Sequence, residues 1–401
     1  MKLFPISFIR LRSTYLLNRR PESGRLNGPA FQGFVAARVQ GACCCLFVVA
    51  LLLVGLLPAS LAAMPEIKMR LQYPQQLKDV ILTGVDGQQI VFRPVGTDRG
   101  GRAYLKFDEL LRQRGSLNFI FPQAYYDAIE QLEGGQALQA LPVIREHAKP
   151  FVDYMQLSGL PGNLLPTVLS YLDALTAAAQ WREATDLAIQ IPLQLAPSRM
   201  LERIGQLALA LDDVGQSSEL ERVHRHILSA RPLSESQLGM VLELANAWRA
   251  RADYVRAFNL YRKVQTTENV HQTRARLWVA YCSFYLGHDL VPTVFLENLP
   301  EMDVSADGYS LRELIRARLS LREENFSAAM RYAAAGKTYA NATDPWYPEL
   351  LYTLATVYAR IDMPQAAIAA LRELSISFPT SPWAAASLQD LEDLTQSVSE
   401  L

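Results

Sequence analysis

The chain has 401 residues, 50% hydrophobic and 20% charged, with five histidines and four cysteines. That is the composition of a folded protein with a sizeable core, and it excludes disorder throughout. The formal net charge of −1 conceals an asymmetry: residues 1–63 hold seven Lys/Arg against one acid, Glu22, which leaves −7 on the remainder, a body without the basic footprint that draws nucleic acid.

No residue from Gly41 to Pro65 is charged. Its centre, CCCLFVVALLLVGLL, is followed by Pro58 and by the small residues ASLAA. A basic stretch, a short apolar run and small residues stand in the order of a secretory signal peptide, with cleavage expected after Ala62 or Ala63. Cys43, Cys44 and Cys45 precede the run, whereas a lipoprotein signal places its cysteine after it. The basic stretch, about 40 residues, is long for a signal. A start downstream of Met1, retention as a membrane anchor (about 20 residues suffice to span) and a buried helix of the fold are the competing readings. With a signal or an anchor, Met64 onward is expected to be exported, in the periplasm or cell envelope.

Residues 64–119 read as a small β-rich piece. Two β-branched runs flank Asp86-Gly87, a hairpin signal because Gly tolerates the positive φ of a tight turn. Arg99–Phe107 and Ser116–Phe121 supply further short strands, three or four in all, with one or two helical turns between them ending at Gly115. Such a piece suits a cap over the open end of the C-terminal residues, or a small recognition module.

Residues 120–401 read as helical hairpins in series. In Pro348–Pro379 a first helix places Leu351, Leu354, Ala355 and Tyr358 on one face. Pro364 opens a second helix carrying Ala367, Leu371 and Leu374, and Pro379 ends it. Ala355 and Ala367 are expected to meet where the two helices cross. Equivalents of Ala367 fall at Ala140, Ala184, Leu220, Ala257, Val294 and Ala329, with steps of 44, 36, 37, 37, 35 and 38 residues. The fifth unit is poor, Pro292 fitting only at a helix start, and the first departs furthest, with Pro142 inside its second helix. The pattern resembles the tetratricopeptide repeat (TPR). The junction FPTSPWAAASL is similar to those of exported bacterial envelope TPR proteins, such as the outer-membrane assembly lipoproteins and the cell-division coordinators. The resemblance implies a mainly α, TPR-like helical-hairpin solenoid of about seven hairpins, with Ser381 onward as a solvated closing helix.

No catalytic pattern accompanies the array. There is no CxxC or Cys/His cluster, nucleophile elbow or phosphate loop, and neither cofactor nor metal is expected. His224 and His226 are two apart on a helix and point to different faces. Cys282 sits at a helix-crossing position and reads as a buried, inert thiol. The resemblance implies a non-enzymatic scaffold that binds a protein or peptide in a groove lined by first helices. By register the groove residues are Asp173, Asn246, Arg249, Arg318, Arg322, Tyr352 and Arg360. Arg318, Arg322 and Arg360 are expected to form a basic strip able to grip a carboxylate; solvated arginines on exposed helix faces are the plainer reading. The alternative is an envelope enzyme or enzyme subunit using Asp86, Asp98 or Asp108 of the β-rich piece.

Overall fold

The segment IKMRLQY alternates polar and apolar residues, and in the computed structural model it forms strand β1 (Ile67–Tyr73), with Met69 and Leu71 buried and Lys68, Arg70 and Gln72 exposed. The structure describes residues 67–96, 101–288, 290–298 and 301–399; the expected signal or anchor at 1–63 and Asp98 lie outside them. Strand β2 (Gln76–Asp86) turns at Asp86-Gly87 into β3 (Gln89–Pro94), and Gly87 has the expected positive φ, 58°. Strand β4 (Ala103–Lys106), a short helix α1 (Phe107–Arg112) and β5 (Ser116–Phe119) complete an antiparallel sheet ordered β4-β3-β2-β1-β5. That is five strands where three or four were expected. The added one, β1, comes directly after a long apolar segment and is interrupted by Lys68 and Arg70. Arg70 pairs across to Asp79 at 2.7 Å, on the exposed face.

Beyond the sheet the chain closes the β5 edge. The Asn163 side chain accepts the Phe119 N–H at 2.7 Å and donates to its carbonyl at 2.8 Å, taking the place of a neighbouring strand. Beside it a Cβ on Gly162 would fall 1.5 Å from the Leu117 oxygen, so only glycine fits there. Phe119 meets the ring of Phe151 edge-on at 4.5 Å.

The remaining described residues form seven helix pairs and a closing helix, in a TPR-like arrangement. The pairs are α2 (Gln123–Glu133) with α3 (Ala137–Ala148), α4 (Leu164–Ala177) with α5 (Trp181–Gln190), and α6 (Ser198–Asp213) with α7 (Ser217–Ser229). Then come α8 (Glu235–Ala250) with α9 (Tyr254–Gln265), α10 (Gln272–Tyr285) with α11 (Leu290–Glu297), α12 (Tyr309–Arg322) with α13 (Phe326–Tyr339), and α14 (Tyr347–Arg360) with α15 (Pro364–Ser377). Helix α16 (Pro382–Ser399) closes the array. First helices pack on first helices of neighbouring pairs from α4 to α8 and from α10 to α14, making one layer; among second helices α5 packs on α7 and α7 on α9. A 3-10 helix, Lys149–Tyr154, stands between the first and second pairs.

One backbone device joins the helices of every pair. Gly135, Ala179, Gly215, Ala252, Gly287, Glu324 and Asp362 have positive φ values of 56–80°. The N–H of the next residue bonds to the carbonyl five positions back, from Gln136 to Gln131 through Met363 to Tyr358, at 2.8–3.0 Å. This is the Schellman closure of a helix C-terminus. It occupies an otherwise orphaned carbonyl and reverses the chain within a few residues.

Ala140, Ala184, Leu220, Ala257, Ala329 and Ala367 are all buried at the expected positions. Val294 is the correction: it is 52% exposed, and Leu296 fills the seam instead. Helix α11 has only eight residues, with Pro292 in its first turn, and offers too little length to repeat the pattern. In the last pair Ala355 clusters with Ala370 and Leu371, one turn beyond Ala367, while Tyr358 packs toward the preceding pair against Ala317, Ala333 and Leu354.

Side chains also tie consecutive pairs together by capping carbonyls near second-helix C-termini. His226 bonds the Ile191 carbonyl at 2.9 Å, and Gln237 donates to those of Leu193 and Ala196 at 2.6 and 2.7 Å. Buried Lys263 donates to Leu228 at 3.1 Å and to Ala230.

Two outcomes are expected. Ala252→Gly removes the strain of a left-handed alanine and raises stability by about 0.5–1 kcal/mol, whereas Gly215→Ala lowers it by about 1 kcal/mol, both readable by denaturant unfolding. Burial pushes the Lys263 ammonium down to about 8. The unfolded chain therefore binds more protons between pH 8 and the ordinary lysine value, and stability rises with pH across that window. Measured against Lys263→Met, the natural chain gains on the order of 2 kcal/mol between pH 8 and pH 10.

Candidate functional site

The residues expected in the groove lie along the first-helix layer, and most are already engaged. Asp173 on α4 pairs with Arg203 of α6 at 3.3 Å; burial raises its carboxyl pKa, with Arg203 opposing. Asn246 on α8 accepts the Tyr261 hydroxyl at 2.7 Å. Arg249 lies 4.0 Å over the ring of Trp278 on α10. Arg322 on α12 lies 3.8 Å over Phe284 of α10 and donates to the Phe284 carbonyl at 3.0 Å. Tyr352 on α14 donates to Asp390 of α16 at 2.9 Å, with its ring 5.3 Å from Trp383. Arg360, at the end of α14, is exposed.

Arg318 revises the expected basic strip. Its Nε donates to Oε1 of Glu349 at 3.0 Å, its side chain is 16% exposed, and its guanidinium lies 4.8 Å over Trp383. Burial disfavours the Arg318 cation, but Glu349 outweighs this and holds its pKa above the ordinary value. The carboxylate that Arg318 grips is thus the protein's own.

Glu349 is the organising residue that the sequence reading missed. It is 1% exposed, and it accepts the Tyr281 hydroxyl at 2.6 Å and the Tyr285 hydroxyl besides Arg318. Three consecutive first helices, α10, α12 and α14, meet at one carboxylate. Burial first, and then Glu349, pushes both tyrosine hydroxyls well above their ordinary pKa. Tyr254 stacks on Tyr285 at 4.7 Å, and Trp278 meets Tyr281 edge-on at 5.1 Å. An acid in the first turn of a helix reads as a solvated partner of the helix dipole. The available signal was its spacing, three residues before Tyr352 on the groove-facing register.

Along this surface Asp173, Arg318, Tyr352 and Glu349 are each held by a partner within the chain. Among the described residues no group of three or more His, Cys, Asp or Glu could hold a metal. Cys282 is fully buried, and burial pushes its thiol up to about 12. Buried His224 has a depressed pKa for the same reason. In the β-rich piece Asp86 ends β2 and Asp108 opens α1, both exposed.

A second concavity, about 1090 Å³, lies elsewhere. Its walls are Ile67, Ile81, Leu82 and Arg93 of strands β1, β2 and β3, helices α3 and α5, and the 3-10 helix. Arg145 of α3 clasps Glu183 of α5 with two bonds of 2.9 and 2.7 Å, and the Tyr171 hydroxyl donates to the same carboxylate at 2.6 Å. Arg145 holds the Glu183 carboxyl below its ordinary pKa.

No family model matches the chain, and no curated protein matches it. Solved structures do. Cut9, from the APC/C hetero-tetramer Cut9–Hcn1, is 12% identical with a TM-score of 0.39; the match covers 66% of this chain and 47% of Cut9, so the chain spans about half the length of that relative. PilW, a type IV pilus biogenesis factor, is 14% identical over 57% of this chain and 99% of its own, with a TM-score of 0.36. The C-terminal part of a TPR repeat-containing protein from Cytophaga hutchinsonii is 14% identical over 66% of this chain and 99% of its own, with a TM-score of 0.33.

Glu349→Ala leaves Arg318 buried without its anion and is expected to cost about 3–5 kcal/mol in denaturant unfolding. The double variant Arg318→Met/Glu349→Leu recovers only part of that loss: it removes both charges together, but the Tyr281 and Tyr285 hydroxyls still lose their acceptor.

Proposed function

We propose that the chain is a non-enzymatic scaffold of the bacterial cell envelope that binds a protein or peptide segment along its first-helix layer. One observation carries the reading. From α8 to α16, arginine and aromatic side chains alternate across successive first helices: Arg249 over Trp278, Arg322 over Phe284, and Arg318 with Tyr352 against Trp383. Tyr, Trp and Arg are the residues that dominate protein–protein binding energy. Here their neighbours hold them in place, so little side-chain entropy remains to be lost on association. Trp278 is buried beneath Arg249, so the members of this line open to a partner are Arg249, Arg322 with Phe284, and Tyr352 with Trp383, on a repeating frame.

The compartment rests on the sequence. The basic stretch, apolar run and Ala-rich close of residues 1–63 support export, as do the mildly acidic body and its single cysteine, Cys282. Among the described residues no helix is long and apolar enough to cross a membrane, so attachment would fall to that N-terminal run.

Two experiments test the reading. Crosslinking from the first-helix layer in cells identifies the partner. Arg322→Glu with Arg360→Glu then weakens it about tenfold or more, with melting curves confirming that the variant folds; undiminished partner binding would remove the groove from consideration. N-terminal sequencing of the mature protein is expected to read from Ala63 or Met64, whereas an intact N-terminus on a membrane-bound chain would establish the anchor instead.

A further inference from the structure

The described chain begins at Ile67, and two hollows flank that residue. One is the cleft of about 1090 Å³ beside α3 and α5. The other, about 390 Å³, lies between the start of β1, the chain after β5 and the 3-10 helix. Ile120, Phe121 and Phe151 give it an apolar wall, and Lys68, Glu146 and His147 a polar rim. Phe121 stacks on Tyr125 at 4.2 Å, while Ile120 is left 38% exposed. Glu146 lines both hollows, is exposed, and pairs with no cation among the described residues, whereas its neighbour Arg145 is clasped to Glu183.

We propose that the smaller hollow is the seat of the chain's own N-terminus after processing: Met64, Pro65 and Glu66, which precede the described residues, lie over it, and the new α-ammonium of Met64 pairs with Glu146. The proposal rests on the export reading, with cleavage after Ala63. Connectivity sets the neighbourhood. Three residues span at most about 11 Å, so the Met64 nitrogen stays within that distance of Ile67. Register sets the direction. Ile67 stands opposite Leu82 on one side of β1, and on the other the Ile120 N–H donates to the Lys68 carbonyl at 3.0 Å. Antiparallel to β1, the chain after β5 runs on through Phe121 and Pro122, so a segment leading into Ile67 arrives beside those two residues.

Size agrees. At roughly 120 Å³ per residue, from the cross-section and rise of a helix, the hollow takes about three residues, too few for a partner's recognition helix. Composition agrees, since Met64 and Pro65 are apolar, as the wall is. Charge agrees as well. Cleavage creates a cation within reach of an unpaired carboxylate, and in the uncleaved chain the same nitrogen is a neutral amide at the end of the uncharged stretch from Gly41 to Pro65. The pair therefore forms only on processing, and it ties β1 to α3, the sheet to the first helix pair. A tethered segment also loses no translational freedom on docking, an advantage over any free ligand for the same hollow.

The test uses the mature chain released from a cleavable tag so that it begins at Met64, beside Glu146→Gln and beside a chain that begins two residues earlier, at Ala62. Melting curves confirm that all three fold. The α-amine of each is titrated by its rate of reaction with an amine-selective label, read on the N-terminal peptide by mass spectrometry. The other charged groups near it, Glu66, Lys68, His147, Lys149 and Asp153, are common to all three chains. The proposal expects the Met64 amine to titrate about half a unit to one unit above the ordinary 7.7–8.0 and to label about threefold or more slowly at pH 7 than in Glu146→Gln. The amine at Ala62, moved off the hollow, is expected at the ordinary value. Equal labelling of the natural and Glu146→Gln chains would overturn the docking, as would the same shift in the chain from Ala62. An intact N-terminus on the protein from cells would instead overturn the export reading beneath it, so the two failures are told apart.

Discussion

One backbone constraint recurs seven times and governs the rest: a left-handed residue, followed by an N–H that reaches the carbonyl five positions back. It ends the first helix of each pair and sends the chain back alongside itself. Neither helix buries enough apolar surface alone. Antiparallel pairing closes one seam, and stacking against the next pair closes another. The small residues at Ala140, Ala184, Ala257, Ala329 and Ala367 result from that geometry, since close crossing leaves no room for larger side chains.

Only three of the seven left-handed positions are glycine: Gly135, Gly215 and Gly287. The others are Ala179, Ala252 and Glu324, which carry no sequence signal for positive φ, and Asp362, whose residue type carries a weak one. The array was therefore legible through its buried alanines and almost illegible through its turns. Glu349 shows the opposite limit. Its position was readable, but its burial depends on Tyr281, Tyr285 and Arg318, which lie 31 to 68 residues away in the chain. Register placed Arg318 on the right face and could not show which carboxylate it holds. The 44-residue step was visible too, but the cleft it opens depends on how the sheet folds over α3 and α5, a matter of packing and not of spacing.

The two faces of the array are built on different physics. Along the first-helix layer, charge sits on aromatic rings and on internal partners, so the surface is ordered before anything binds. In the cleft the charges are clasped helix to helix, leaving an apolar floor between them. The Glu349 cluster joins the last three pairs, and the carbonyl caps from His226, Gln237 and Lys263 join the middle ones. These ties carry neighbour-to-neighbour cohesion that pure apolar stacking would leave unspecific in register.

The near-constant spacing of the reversals makes the molecule a ruler with a fixed graduation. Material can be added or lost between graduations only by distorting a seam, whereas a whole unit could be duplicated or deleted with every remaining unit still meeting a neighbour of the same kind. On that scale the surplus beside Lys149–Tyr154 is a misprint that the rest of the array tolerates because the sheet, which obeys no such graduation, lies over it.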